Sequence, residues 1–366
     1  MTKKEPLIHI TKRSNVSFKR SLLMRSIAIL SSFIIMSFVM FLISKENPFT
    51  LIASMFDGAF GNSLRIWVLF SDTAILLGIS LALTPAFKMK FWNCGGEGQV
   101  MMGSLIAAMM MLFVGDKLSL PLLLALTAVL CIFIGGVWGL IPAIFKAKWN
   151  TNETLFTLMM NYIAIQFVTY FLKLFGNAQG NLEPMPQFAI PKIFGGAYFL
   201  NIILIVSICI IMYVYLRYSK QGYEISVVGE SENTAKYIGI HVPKVIIRTM
   251  IISGALCGLM GFLLVANGSC SVTTTIAGGR GFTAILVSWL GKFNPIYMIL
   301  TSFLVVFLQK GTSFMGETYR LDTSMADIFI GVVLLFIIGC EFFISYKVNF
   351  RKDFFKSNKK NKEGNN

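Results

Sequence analysis

The sequence predicts an all-α, polytopic membrane protein of about ten transmembrane helices, with an inverted internal repeat and broken helices. Three observations predict it. Apolar runs near 20 residues recur along the 366-residue chain, which is 55% hydrophobic. The basic residues fall in the tails and in alternate loops, as membrane insertion requires. Two similar glycine clusters, Gly95–Gln99 and Gly278–Phe282, each open an apolar run.

The predicted spans are 26–44, 64–84, 91–113, 120–142, 154–175, 197–216, 245–267, 274–290, 296–310 and 325–346. Each of the longer runs suffices to cross a hydrocarbon core of about 30 Å. The first has Arg25 before it, like a signal peptide, but its apolar run is long and no A-x-A pattern follows, so it reads as a retained span. The short pair 274–290 and 296–310, joined by Gly291–Pro295, is the least regular. With both ends inside, 24 of the 32 Lys and Arg residues lie on the inner side, which favours this orientation. The expected organisation is a basic cytoplasmic tail (1–25), a transmembrane domain (26–346) containing an inner loop at 217–244, and a basic disordered cytoplasmic tail (347–366) on anionic lipid.

The 217–244 loop carries helix signals. Ser231 or Asn233 suits an N-cap, Glu232 a first turn, Gly239 a C-terminal stop, and Pro243 the first turn of the next span. A short helix here is either a contact for a cytoplasmic partner or an amphipathic connector on the headgroups. The outer loop 177–196, with Pro184, Pro186 and Pro191, reads as an ordered or extended connector.

The chemistry-bearing residues are few. Cys94, Cys131, Cys209, Cys257, Cys270 and Cys340 form no CxxC pair and read as apolar packers. Only His9 and His241 exist, both in polar segments, so no histidine metal site or triad lies in the membrane. No clustered His, Asp or Ser points to a membrane enzyme. Gly291-Lys292 is followed by Phe293, so no P-loop is present, and uphill transport needs an ion gradient or a separate ATPase. Asp72, Glu97 and Glu341, with Glu153 and Asp327 near span ends, are scattered, which argues against a proton relay.

The candidate solute pathway is Asn93, Glu97, Gln99, Asn161 and Phe282. Glu97 and Gln99 sit among glycines that break a helix. Two readings stand for them: hydrogen bonding to a polar solute or gating its path, or capping of freed backbone amides. Asn161 and Tyr162 suit either the path or an interhelical hydrogen bond. Phe91, Trp92, Phe282 and Trp289 suit either a stacked ring or an interfacial position.

Three stretches resemble the permease subunits of ABC importers in the ribose/branched-chain amino acid permease superfamily, most of all those for nucleosides and simple sugars. Phe91–Gln99 is similar to the pattern F-N-I-G-x-E-G-Q, with Trp92 inserted and Cys94 in place of Ile. Asn152–Ala164 is similar to N-E-x-x-x-T-x-M-x-N-Y-I-A, and Gly281 to Pro295 to G-F-x-x-I-A-V-A-L-L-G-x-x-x-P. Arg280 and Trp289 depart from that pattern, where apolar or aromatic and small residues are more usual. The resemblance covers roughly residues 60–345. It implies a multi-pass cell-membrane permease, not an enzyme, that moves nucleosides, with simple sugars, branched-chain amino acids or an ion-coupled mechanism as alternatives. It implies a cytoplasmic ATP-binding subunit, a second permease subunit, an external solute-binding lipoprotein and membrane lipid as partners, and no nucleic acid. The chain itself needs no cofactor, ATP being used by the partner. By the same resemblance Gly229, Ala235, Tyr237 and Gly239 belong to the ATPase-coupling segment.

Overall fold

The computed structural model describes residues 8–13, 18–177, 180–191, 198–267, 270–320 and 323–350. The chain forms two compact units, 59–307 and a second made of 1–58 with 308–366. In chain order the elements are β1 (Ile8–Lys12), α1 (Phe18–Ser44), α2 (Pro48–Phe60), α3 (Ser63–Lys88), α4 (Gly96–Val114), α5 (Leu120–Trp149), α6 (Glu153–Phe175), α7 (Phe199–Tyr218), α8 (Lys220–Glu230), α9 (Glu232–Tyr237), α10 (Val242–Ala266), α11 (Arg280–Leu290), α12 (Pro295–Thr318), α13 (Thr323–Ser345) and β2 (Tyr346–Phe350). Among the described residues nine helices are long and apolar enough to cross a membrane. The predicted span 274–290 is instead an 11-residue helix, α11, entered through turns. At about 1.5 Å per residue it covers only half a bilayer core. Gly278 and Gly279, at φ +57° and +72°, are the reason: consecutive left-handed residues cannot continue a right-handed helix.

In the unit 59–307, α10 is the packing axis. Gly135 and Gly139 of α5 face Gly254 and Gly258 of α10, so the backbones touch; a Cβ on Gly258 would overlap the Cys131 carbonyl. Small residues four apart allow this close crossing, which dispersion then rewards where lipid offers no hydrophobic drive. On another side Gly261 meets Val100 and Ser104 of α4, and Ser104 Oγ donates to the Gly261 carbonyl at 3.1 Å. The outward faces of α5, α6 and α7 are apolar, with Phe133, Tyr170 and Ile211 each about 63% exposed, a surface suited to lipid.

The alternation of ends matches the charge asymmetry. At the Lys/Arg-rich end, Met89, Phe91, Ala143, Ile225, Val228, Ala235 and Val242 share one buried cluster. At the other end the segment 180–191 is pinned to the α10 exit, with Leu182 N–H donating to the Val272 carbonyl and Ile190 N–H to the Ala266 carbonyl. It is an ordered connector; 178–179 and 192–197 of that loop lie outside the described residues.

In the other unit α1 packs on α13. Ala28, Cys340 and Ile344 form a small core, Phe33 meets Phe329 edge to face at 5.5 Å, and Arg25 pairs with Glu341. The helix α1 begins at Phe18, ahead of the predicted 26. Its neighbour β1 pairs antiparallel with β2, Ile10 opposite Val348. The stretch 346–350, YKVNF, alternates β-favouring residues, so the C-terminal segment predicted as disordered from 347 opens as a strand. Residues 351–366 of that tail lie outside the described residues.

Candidate functional site: two broken helices joined at Glu97

The site begins with α3 ending at Lys88 and the chain turning back at 89–95 before α4 starts. Asn93 shapes this return. Its Oδ1 accepts from Gly95 N–H at 3.0 Å and from Gln99 Nε2 at 3.4 Å, while its Nδ2 donates to Ser253 Oγ of α10 at 3.1 Å. Asn93 and Gln99 are buried, and Gln99 Oε1 has no hydrogen-bond partner among the described residues.

One face of α6 braces the same loop. Asn152 caps α6 by accepting from Leu155 N–H at 3.1 Å, and Glu153 pairs with Lys146 at 3.0 Å. Thr157 and Asn161 follow, four residues apart and hence on one face. Thr157 Oγ1 accepts from Cys94 N–H at 3.2 Å. Asn161 clamps both sides of the glycine pair, donating to the Cys94 carbonyl at 2.9 Å and accepting from Gly98 N–H at 2.8 Å. The broken start of α4 therefore has its orphan backbone groups satisfied by side chains, the condition for irregular backbone at membrane depth.

Glu97 reaches outward from this braced turn to the second glycine cluster. Its Oε1 accepts from Gly279 N–H at 2.8 Å and its Oε2 from Gly281 N–H at 2.7 Å. These are the free amides of the first turn of α11. The carboxylate thus sits in the first turn of its own helix and on the amide end of another, where both dipoles favour negative charge. A Cβ on Gly281 would overlap the Glu97 backbone nitrogen, so only glycine admits this approach. The two GGxG clusters, 182 residues apart in their first bonded pair, meet face to face. Along α3, Arg280 lies beside Asp72 and Ser288 Oγ donates to the Ser80 carbonyl, so α11 runs parallel to α3. That is the arrangement an inverted pair of discontinuous helices requires.

Asn93, Glu97, Gln99 and Asn161 are brought together and buried; Phe282 is not with them and is 46% exposed. Tyr162 also faces outward. Sequence reasoning missed Thr157 and Ser253; the spacing of Thr157 from Asn161 was the available signal. Of the aromatics, Phe91 is buried, whereas the half-exposed Trp92 and Trp289 meet at 5.3 Å, with the buried Phe87 beside Trp92 and Phe293 beside Trp289.

At the Lys/Arg-rich end, α8 and α9 occupy the loop 217–244. Ser231 Oγ accepts from Thr234 N–H at 3.2 Å and so caps α9; Asn233 lies inside the helix. Gly229 lies against the Lys88 carbonyl of α3, and Ala235 is fully buried. Ala235 of α9 is therefore turned inward, its methyl completing the buried cluster. Tyr237 is 92% exposed, and Gly239, at φ +84°, ends the segment.

Comparison with known proteins agrees with this geometry. The chain matches the family described as Branched-chain amino acid transport system / permease component over residues 64–338. It is 27% identical over 299 residues to the Glucose ABC transporter permease protein TsgB13 of Haloferax volcanii, covering 76% of this chain and 77% of that one. It is 26% identical over 309 residues to the Guanosine ABC transporter permease protein NupP of Bacillus subtilis, covering 81% and 86%. It is 26% identical over 316 residues to the Nucleoside ABC transporter permease protein NupB of Lactococcus lactis subsp. cremoris, covering 80% and 84%. No solved structure matches the chain. With the family match covering most of its length and its apolar spans, the chain belongs to the branched-chain amino acid transport system permease family and is a multi-pass cell-membrane permease subunit of the ABC importer type, a transport protein rather than an enzyme.

Proposed function

We propose that this permease imports nucleosides, driven by a separate ATP-binding subunit and fed by an external solute-binding lipoprotein. The observation that carries this reading is the likeness over four fifths of the chain to permeases named for guanosine and for nucleosides. The half-exposed Trp92–Trp289 pair adds support, since aromatic faces suit a base. The likeness to a glucose permease favours a second reading, import of a simple sugar.

In the proposed mechanism Glu97 is a latch. Solute passage requires α11 to part from α4, and the two bonds from Glu97 to Gly279 and Gly281 are what must yield. Asn93, Gln99 and Asn161 hold the α4 side of the latch while α11 moves, and Phe282 lies on the moving helix. Two such permease chains, alike or different, complete the path. Coupling runs through α8 and α9, which the buried cluster ties to α3, α5 and α10. Tyr237 is the exposed contact for the ATPase, and the cavity beside it, lined by Lys220, Tyr223, Glu224, His241 and Arg248, receives the partner's side chains. ATP is bound and hydrolysed on that partner; this chain holds no cofactor.

The test is uptake of radiolabelled guanosine, uridine and glucose by cells carrying the permease with its ATPase and receptor genes, against cells lacking the permease alone. Nucleoside uptake that disappears with the permease is the expected result. Uptake of glucose but not of nucleosides selects the sugar reading.

A further inference from the structure

A cavity with a mixed polar and apolar lining lies on the far side of the Glu97 latch from the aromatic pair. It has a volume of about 270 Å³ and is bordered by Ser71 and Asp72 of α3, Tyr198 before α7, Asn267 at the end of α10, and Ile276 and Arg280. Asp72 is the tenth residue of α3, roughly 14 Å from its start, which puts the cavity in the outer part of the span. Tyr198 and Asn267 stand at helix ends opposite the Lys/Arg-rich face. The cavity is therefore on the entry side.

Its chemistry is unusual for a helix bundle in lipid. Arg280 Nη2 and Asp72 Oδ1 are 3.6 Å apart, with side chains 27% and 17% exposed. At that distance the charges offset one another without a direct hydrogen bond. Charges at such depth are costly and usually functional. Asn267 Nδ2 donates to Ser71 Oγ at 2.9 Å, and Asn201 Nδ2 donates to the same oxygen at 3.3 Å. The amide oxygens of both asparagines are buried with no hydrogen-bond partner among the described residues. A buried acceptor left unpaired is costly, so Asn267 at the cavity wall is short of a donor.

We propose that this cavity is a binding subsite for the hydroxyl groups of a neutral solute, taking one sugar ring. The inference rests on the transport reading above. Hydroxyls supply a donor to Asn267 Oδ1 and accept in turn from Arg280, whose five N–H groups exceed its protein partners. A solute carboxylate would bring no donor and would face Asp72. The volume lies just below the roughly 300–1,000 Å³ usual for larger ligands, which fits a single ring and not a whole nucleoside. Arg280 also stands between Gly279 and Gly281, the two residues Glu97 holds, so a solute on Arg280 engages the residue next to both latch amides.

The test uses the complete transporter in cells, with uridine, 2′,3′-dideoxyuridine and glucose as probes and uptake expressed per inserted permease. Asn267→Ala and the double variant Asp72→Asn/Arg280→Gln, which removes both charges of the pair, should each cut uridine uptake about tenfold, while dideoxyuridine uptake changes less than about threefold. Should the double variant not insert, Asn267→Ala carries the test with both charges in place. Unchanged uridine uptake, or equal loss of both nucleosides at normal insertion, overturns the subsite and leaves the transport reading intact. A wild-type complex that moves neither uridine nor glucose overturns the transport reading, and the subsite with it.

Discussion

Glu97 and Gly281 are fitted to each other: the carboxylate accepts the Gly281 amide proton at 2.7 Å, and the side chain that Gly281 lacks would overlap the Glu97 backbone. The relation is electrostatic and steric at once. It joins the first turn of α4 to that of α11 and makes both helix starts one structural feature.

Removing the carboxylate takes the acceptor from one buried amide, Gly281, and one part-buried amide, Gly279. Glu97→Ala should destabilise the permease by about 2–4 kcal/mol, read as a lower melting temperature of the detergent-purified protein and less inserted protein. Gly281→Ala should do the same by forcing the two helix starts apart. Wild-type melting in both variants would show that the latch contributes nothing to the fold.

The α6 brace should be graded by its bonds. Thr157→Val keeps the side-chain volume and removes the acceptor for Cys94 N–H, so it should cost about 1 kcal/mol. Asn161→Ala strips partners from both Gly98 N–H and the Cys94 carbonyl and should cost about twice that. Denaturation of the purified variants gives the order, and a larger effect from Thr157→Val would contradict it.

Coupling and folding separate at α9. Tyr237→Ala alters a side chain that is 92% exposed, so normal amounts of inserted protein with reduced uptake are expected. Ala235→Arg forces a charge into the buried cluster and should lower the inserted amount itself. Full uptake by Tyr237→Ala would remove this residue from the ATPase contact.

Reporter fusions test the sidedness. A fusion after Lys220 should report inside and one near Asn181 outside, because the structure puts these segments at opposite ends of the helices. An outside signal after Lys220 would reverse the assignment.

The long spans were legible because lipid demands runs of apolar residues and insertion demands basic inner loops, and both demands are local. The cap at Ser231 and the stop at Gly239 were legible for the same reason. The break at 278–279 was visible as glycines, yet how little of the run after it is helical was not. Helix length there depends on what receives the freed amides, and Glu97 lies far away in the chain. The short helix in the 217–244 loop was likewise legible from its caps, but that Ala235 turns into the buried cluster was not. The chain by itself determined that two glycine-broken helices exist. Only the tertiary structure decided that they meet, since a buried carboxylate and free amides find each other through packing and not through sequence separation.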